Sequence, residues 1–85
     1  MRLDPADFVE GRVVFVVALD DPPWQGPYKC IQTFQEKEEG FIAFWAQRVD
    51  YDYSYFVDHM PDRIAFTNYW EARAYLLKGN MKCKK

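Results

Sequence analysis

Residues 28–49 read YKCIQTFQEKEEGFIAFWAQRV, and the reading of this stretch decides the fold. Two runs rich in aromatic and aliphatic residues, Tyr28–Gln35 and Phe41–Val49, flank the polar segment Glu36-Lys37-Glu38-Glu39-Gly40. Such a pattern is that of a β-hairpin, with Gly40 supplying the positive φ that tight connections need. A symmetric turn sets Phe34 opposite Ile42, Gln32 opposite Phe44 and Cys30 opposite Ala46. That face is expected to be the core face. Ile31 and Trp45 then share the other face, which is either covered or a contact surface.

Upstream, residues 12–19 (RVVFVVAL) are β-branched and apolar at nearly every position. A strand with two apolar faces is a central strand, covered on both sides. Residues 20–27 (DDPPWQGP) form a loop by their three prolines and one glycine. At the N-terminus, Leu3-Asp4-Pro5-Ala6-Asp7-Phe8 carries the signals of a short helical turn. Asp4 is placed to cap, and Pro5 suits the first helical position, which has no N–H to satisfy. Leu3 and Phe8 have the spacing of a hydrophobic staple.

Downstream, residues 50–60 (DYDYSYFVDHM) alternate tyrosine with Asp and Ser, as an edge strand does, yet also read as a structured loop. Residues 63–67 (RIAFT) are a further short strand. Asn68 and Glu71 then stand at capping-box spacing and open a helix that is expected to reach about Lys78, with Gly79-Asn80 as its stop. On the helical wheel Tyr69, Ala72 and Leu76 line one edge of the apolar arc. Trp70, Ala74 and Leu77 line the other, with Arg73 between them and Glu71, Tyr75 and Lys78 toward water. A guanidinium directed into a core requires a partner, so either Arg73 splits the arc into two narrower faces, with its head reaching water or stacked on a ring such as Trp70, or it pairs with a carboxylate of the acidic body, the outcome slightly preferred.

The predicted fold is therefore α+β: a small antiparallel sheet of three to five strands, with a C-terminal helix packed on one face and a short N-terminal helical turn. Residues 1–80 form one domain and residues 81–85 a basic tail. With only 85 residues the chain buries a modest share of its surface. Seven Phe, six Tyr and three Trp compensate, since each ring buries roughly 150–250 Å². Most of these rings must be structural.

Charge is segregated. Residues 3–62 hold twelve Asp and Glu against four Lys and Arg, a net of −8, whereas residues 63–85 hold one Glu against six bases, a net of +5. An acidic body repels phosphate and attracts basic protein surfaces. No apolar run approaches the ~20 residues that span a bilayer. The N-terminal segment lacks the apolar pattern of a secretory leader. Cys30 and Cys83 form neither a CxxC pair nor a disulfide framework, so a reducing cytoplasmic setting with free thiols is expected.

Catalytic constellations are sparse. A cysteine nucleophile would need Cys30 or Cys83 beside His59, the only histidine. Cys30 sits in a predicted strand, and Cys83 sits in a tail too flexible to hold attack geometry. The carboxylate pairs Asp50/Asp52 and Asp58/Asp62 read as an exposed acidic loop. Asp50, Asp52, Ser54 and Asp58 fall on positions 1, 3, 5 and 9 of an EF-hand-like loop, but Tyr55 replaces the turn glycine and Pro61 the closing glutamate. No metal and no cofactor is expected. Four scattered glycines make no phosphate loop. Tyrosines interleaved with aspartate have the wrong charge for nucleic acid.

Protein recognition remains. Tyr and Trp anchor interfaces because they bury large areas at low entropic cost. The expected partner-binding surface comprises Asp50, Tyr51, Asp52, Tyr53, Tyr55, Phe56 and Asp58, with Trp24 from the proline-rich loop. It suits a protein partner with a basic surface, such as the nucleic-acid groove of a host enzyme, and a homodimer is also compatible with it. The function expected on these grounds is that of a small non-enzymatic inhibitor or regulator. Size and composition match phage or mobile-element proteins that block host enzymes, anti-CRISPR proteins among them. The alternatives are a nucleotide or other small-ligand binder with stacking aromatics, which requires a concave aromatic pocket, and a small enzyme or enzyme subunit.

Overall fold

Five strands and one helix are seen in the computed structural model, which describes residues 2–21, 23–58 and 62–83. The strands are β1 (Val13–Ala18), β2 (Tyr28–Glu38), β3 (Phe41–Arg48), β4 (Ser54–Val57) and β5 (Arg63–Phe66), and α1 spans Tyr69–Cys83. Short 3-10 turns at Pro5–Asp7 and Pro23–Gln25 complete the chain. The strands form one antiparallel sheet in the order β4-β3-β2-β1-β5. The α+β class, the antiparallel sheet, the helix on one face and the N-terminal turn all agree with the sequence.

β1 is central because both of its faces are apolar. Val14, Val16 and Ala18 enter one cluster together with Tyr28, Cys30, Phe44, Ala46, Tyr55, Val57 and Ala65. Val17 and the flanking Phe15 and Leu19 point the other way, against Ile64, Phe66, Ala72, Leu76 and Tyr75. The first cluster lies on the inner face of a curled sheet whose edge strands, β4 and β5, approach to within 8 Å between Cα atoms. The N-terminal segment crosses this inner face. Leu3 donates its N–H to Ala65 O (2.9 Å), Leu3 and Phe8 plug the cluster, and Asp4 caps the turn through Ala6 N–H (3.1 Å). The buried Gln32 ties the segment down, its Oε1 accepting from Val9 N–H at 3.2 Å.

The hairpin register differs from the symmetric expectation. β2 continues to Glu38, so the connection is only Glu39-Gly40, with Gly40 at φ 94°. Cys30 faces Arg48, Gln32 faces Ala46, and Phe34 faces Trp45, with a bulge between Gln32 and Phe34. One extra residue, Thr33, reverses the alternation beyond it. Phe34 therefore leaves the core face, where the sequence put it, and stands 49% exposed beside Trp45, with ring centroids 6.0 Å apart. Ile31 shares that outer face, as expected.

The helix begins where the sequence places it. Asn68 Oδ1 accepts from the N–H groups of Trp70 (2.8 Å) and Glu71 (3.1 Å). It does not stop at Gly79 but runs on to Cys83. Gly79 acts as a packing site: a Cβ there would lie 2.6 Å from Leu19 Cδ2. Tyr69, Ala72, Tyr75 and Leu76 turn toward the sheet, Tyr69 edge-on to Phe15 with ring centroids 5.8 Å apart, and Trp70, Ala74 and Leu77 are left exposed. Tyr75, expected in water, packs on Phe66 at 5.3 Å. Arg73 is exposed and reaches only the Tyr69 hydroxyl (3.4 Å) rather than a buried carboxylate. With the apolar arc split this way, the Arg73 guanidinium stays out of the core and needs no buried partner.

Candidate protein-binding surface

The alternation of strands sends the loops to two ends. β1 ends, β2 begins, β3 ends, β4 begins and β5 begins at the same end of the sheet. This gathers the 19–27 loop and the 49–53 loop, two segments far apart in sequence. Gln25 and Tyr53 line one cleft, and Gln25 and Asp50 line another.

On these two loops stand three largely exposed rings: Trp24 at 80%, Tyr53 at 63% and Tyr51 at 58%. Asp20, Asp50 and Asp52, all exposed, stand on the same two loops. Five of the eight residues named from the sequence (Trp24, Asp50, Tyr51, Asp52 and Tyr53) thus stand on loops at one end of the sheet; Gln25 is the residue of the 19–27 loop that shares clefts with Tyr53 and Asp50.

The other three are separated by the strand itself. Because residues 54–57 pair with β3, successive side chains go to opposite faces. Tyr55 is buried on the inner face, stacked on Tyr28 at 5.8 Å with a 13° interplanar angle. Phe56 lies on the outer face, edge-on to Trp45 at 5.1 Å. Asp58, at φ 105°, sits at the opposite end of the sheet, in a groove with Asp4, Lys37 and Glu38. The strip is therefore not continuous.

The same separation breaks the EF-hand-like set, since Asp58 lies one strand length from Asp50 and Asp52. Among the described residues no group of three His, Cys, Asp or Glu is placed to hold a metal ion. His59 and Pro61, and the side chains of the basic tail 81–85, lie outside the described residues. Cys30 is fully buried, with Sγ donating to Tyr28 O at 3.4 Å. Burial pushes its thiol up to about 12, which leaves no thiolate at neutral pH.

Two arginines that the sequence reading counted only as charges organise this end. The Arg48 guanidinium lies 4.1 Å from the Tyr28 ring centroid and 4.5 Å from that of Tyr51. Its Nε and Nη2 donate to the two carboxylate oxygens of Asp50 at 2.8 and 3.3 Å. The Tyr55 hydroxyl is also hydrogen-bonded to it. Arg63 donates to Asp62 (3.0 Å) and Asp20 (3.4 Å) and stands 5.6 Å from the Tyr55 ring, so it links β5 to β4. Tyr28 donates its hydroxyl to Asp21 at 2.5 Å, and burial together with that carboxylate raises its pKa. The sole local sign of the Arg48 clamp is the Arg–x–Asp spacing of residues 48 and 50 at a strand end. Its two rings come from other parts of the chain.

Between the two loops and β4 lies an open cleft of about 640 Å³, lined by Gln25, Tyr28, Arg48, Tyr53, Tyr55 and Arg63 among others. No family model, curated protein or solved structure matches this chain. Among the described residues no helix is long and apolar enough to cross a membrane.

Proposed function

We propose that this domain is a non-enzymatic protein-binding module, an inhibitor or regulator that seats its loop end on a basic surface of a partner protein. The observation that carries this reading is that Trp24, Tyr51 and Tyr53, each more than half exposed, stand on two loops at one end of the sheet, both of which carry aspartates. Exposed large rings on one rim supply anchors. The aspartates select a basic partner and speed its approach. The Arg48 clamp holds Tyr51 and Asp50 against the sheet, so less freedom is lost on binding. A free, buried Cys30 fits action in a reducing cytoplasm.

The test compares capture by the wild-type chain with capture by a Trp24→Ala/Tyr53→Ala variant from one host lysate. A stoichiometric protein retained by the first and lost from the second supports the reading. Equal retention by both refutes it. The two substitutions remove exposed rings, so stability should change by no more than about 0.5 kcal/mol.

One observation favours a second reading, that of a ligand-binding domain: the 640 Å³ cleft combines rings with polar side chains. Against it, both arginines of the cleft are already ion-paired to aspartates. Equilibrium dialysis against a mixture of nucleotides, with no ligand retained, would dismiss it.

A further inference from the structure

A second groove opens at the same end, of about 560 Å³, lined by Ile31, Gln47, Arg48, Val49, Asp50, Tyr51 and Asp52. Ile31 and Val49 present exposed aliphatic surface, and Tyr51 adds an exposed ring. That ring is held in place by the Arg48 guanidinium and by the edge-on Tyr53, 6.4 Å away. The two carboxylates are not equivalent. Arg48 engages both oxygens of Asp50. Asp52 is exposed and has no hydrogen-bond or ion-pair partner among the described residues. Arg48, Asp50 and Asp52 together leave the groove with one uncompensated negative charge.

We propose that this groove is the subsite for one arginine side chain of the partner protein, an assignment that rests on the protein-binding reading above. The chemistry matches part by part. The aliphatic stem of an arginine covers Ile31 and Val49. Its planar guanidinium stacks on the fixed Tyr51 ring and donates two hydrogen bonds to the Asp52 carboxylate. Lysine offers a point charge without the plane or the fork and is the poorer fit. A phosphate-bearing partner is repelled by Asp52. The domain already holds an arginine in this manner, since Arg48 combines tyrosine rings with a chelating aspartate.

The test is an NMR titration of the 15N-labelled protein with the peptide acetyl-Gly-Arg-Gly-amide, alongside the same peptide carrying citrulline, which keeps the shape and removes the charge. A single side chain should bind with Kd of about 1 mM. Saturable shifts confined to Ile31, Val49, Tyr51 and Asp52 are expected with the arginine peptide alone. Asp52→Asn should weaken binding roughly tenfold while the remaining spectrum stays unchanged. Equal shifts with citrulline, or no effect of Asp52→Asn, would overturn the inference. Lysine binding as tightly as arginine would overturn the guanidinium assignment. The two proposals fail separately. Loss of partner capture by the Trp24/Tyr53 variant without any groove shifts removes this inference and keeps the binding reading. Groove shifts without that loss leave an arginine-binding groove but refute the Trp24/Tyr53 surface, and with it the assignment of the groove to that partner.

Discussion

Replacing Arg48 by Met should loosen the loop end, and the structure sets the size of the effect. The Arg48 side chain is 19% exposed and Asp50 is 62% exposed. The carboxylate freed by the substitution is therefore hydrated again, which excludes the ~3–5 kcal/mol penalty of a stranded buried charge. The exposed ion pair itself contributes about 0.5 kcal/mol. Stacking on the buried Tyr28 is worth about 1–2 kcal/mol and stacking on the exposed Tyr51 about 0.5–1 kcal/mol. The Tyr55 hydroxyl loses a charged partner, worth about 1 kcal/mol. Methionine returns about 1 kcal/mol of apolar and sulfur contact with the ring of Tyr28. The expected loss is about 2–3.5 kcal/mol, or roughly 8–28 °C in Tm for a domain of this size. Urea melts give the first number directly. Order parameters for the amides of residues 49–53 should fall below about 0.6 in the variant. Arg48→Lys, which keeps the charge and loses the plane, should fall between wild type and Met. A loss under about 1 kcal/mol with unchanged loop order would refute the clamp and, with it, the preorganisation of the binding rim.

Three further outcomes follow from the fold. Cys30 has a folded-state pKa of about 12 against an ordinary 9.0, so its contribution is intact below pH 9 and is lost as pH rises from 9 toward 12. The slope is about 1.4 kcal/mol per pH unit. Tyr28 and Tyr55, also raised by burial, add loss of the same sign above pH 10. Urea midpoints of Cys30→Ala should therefore fall less steeply than wild type between pH 9 and 10, and parallel curves would contradict this. Asn68→Ala should cost about 1 kcal/mol by removing the cap of α1, whereas Asn68→Asp should cost less than half of that, both read by thermal melts. Deleting Thr33 removes the bulge and leaves every other side chain of β2 on its present face. It should cost about 1–2 kcal/mol, including the Thr33 Oγ1 bond to Trp45 O at 3.2 Å.

The parts of the fold that were legible are those whose signal is local. The two apolar faces of residues 13–18 could only be satisfied at the centre of a sheet. Asn68 with Glu71 marked a helix start through groups three residues apart. The Thr33 bulge left no such mark, because alternation in residues 28–35 is equally regular with or without it. Its consequence, Phe34 turned outward, is decided by pairing across to Trp45. Gly79 was misread for a related reason. A glycine late in a helix is as good a stop as it is a contact, and only Leu19, sixty residues earlier, selects the second role.

The site divides along the same line. The exposure of Trp24, Tyr51 and Tyr53 was legible because rings among prolines or aspartates cannot all be core. Tyr55, Phe56 and Asp58 were misassigned to the same strip by treating sequence proximity as spatial proximity. At about 3.3 Å per residue, the four residues of β4 carry Asp58 roughly 13 Å from the rim, and the period of two sends Tyr55 and Phe56 to opposite faces. What replaces them is supplied from across the sheet. Arg48 is bracketed by rings from β2 and the 49–53 loop, and this arrangement converts two exposed loops into one fixed surface. The proposed binding rim therefore depends on more than which aromatics its loops carry: the strand-end arginine fixes Tyr51 and Asp50 against the sheet.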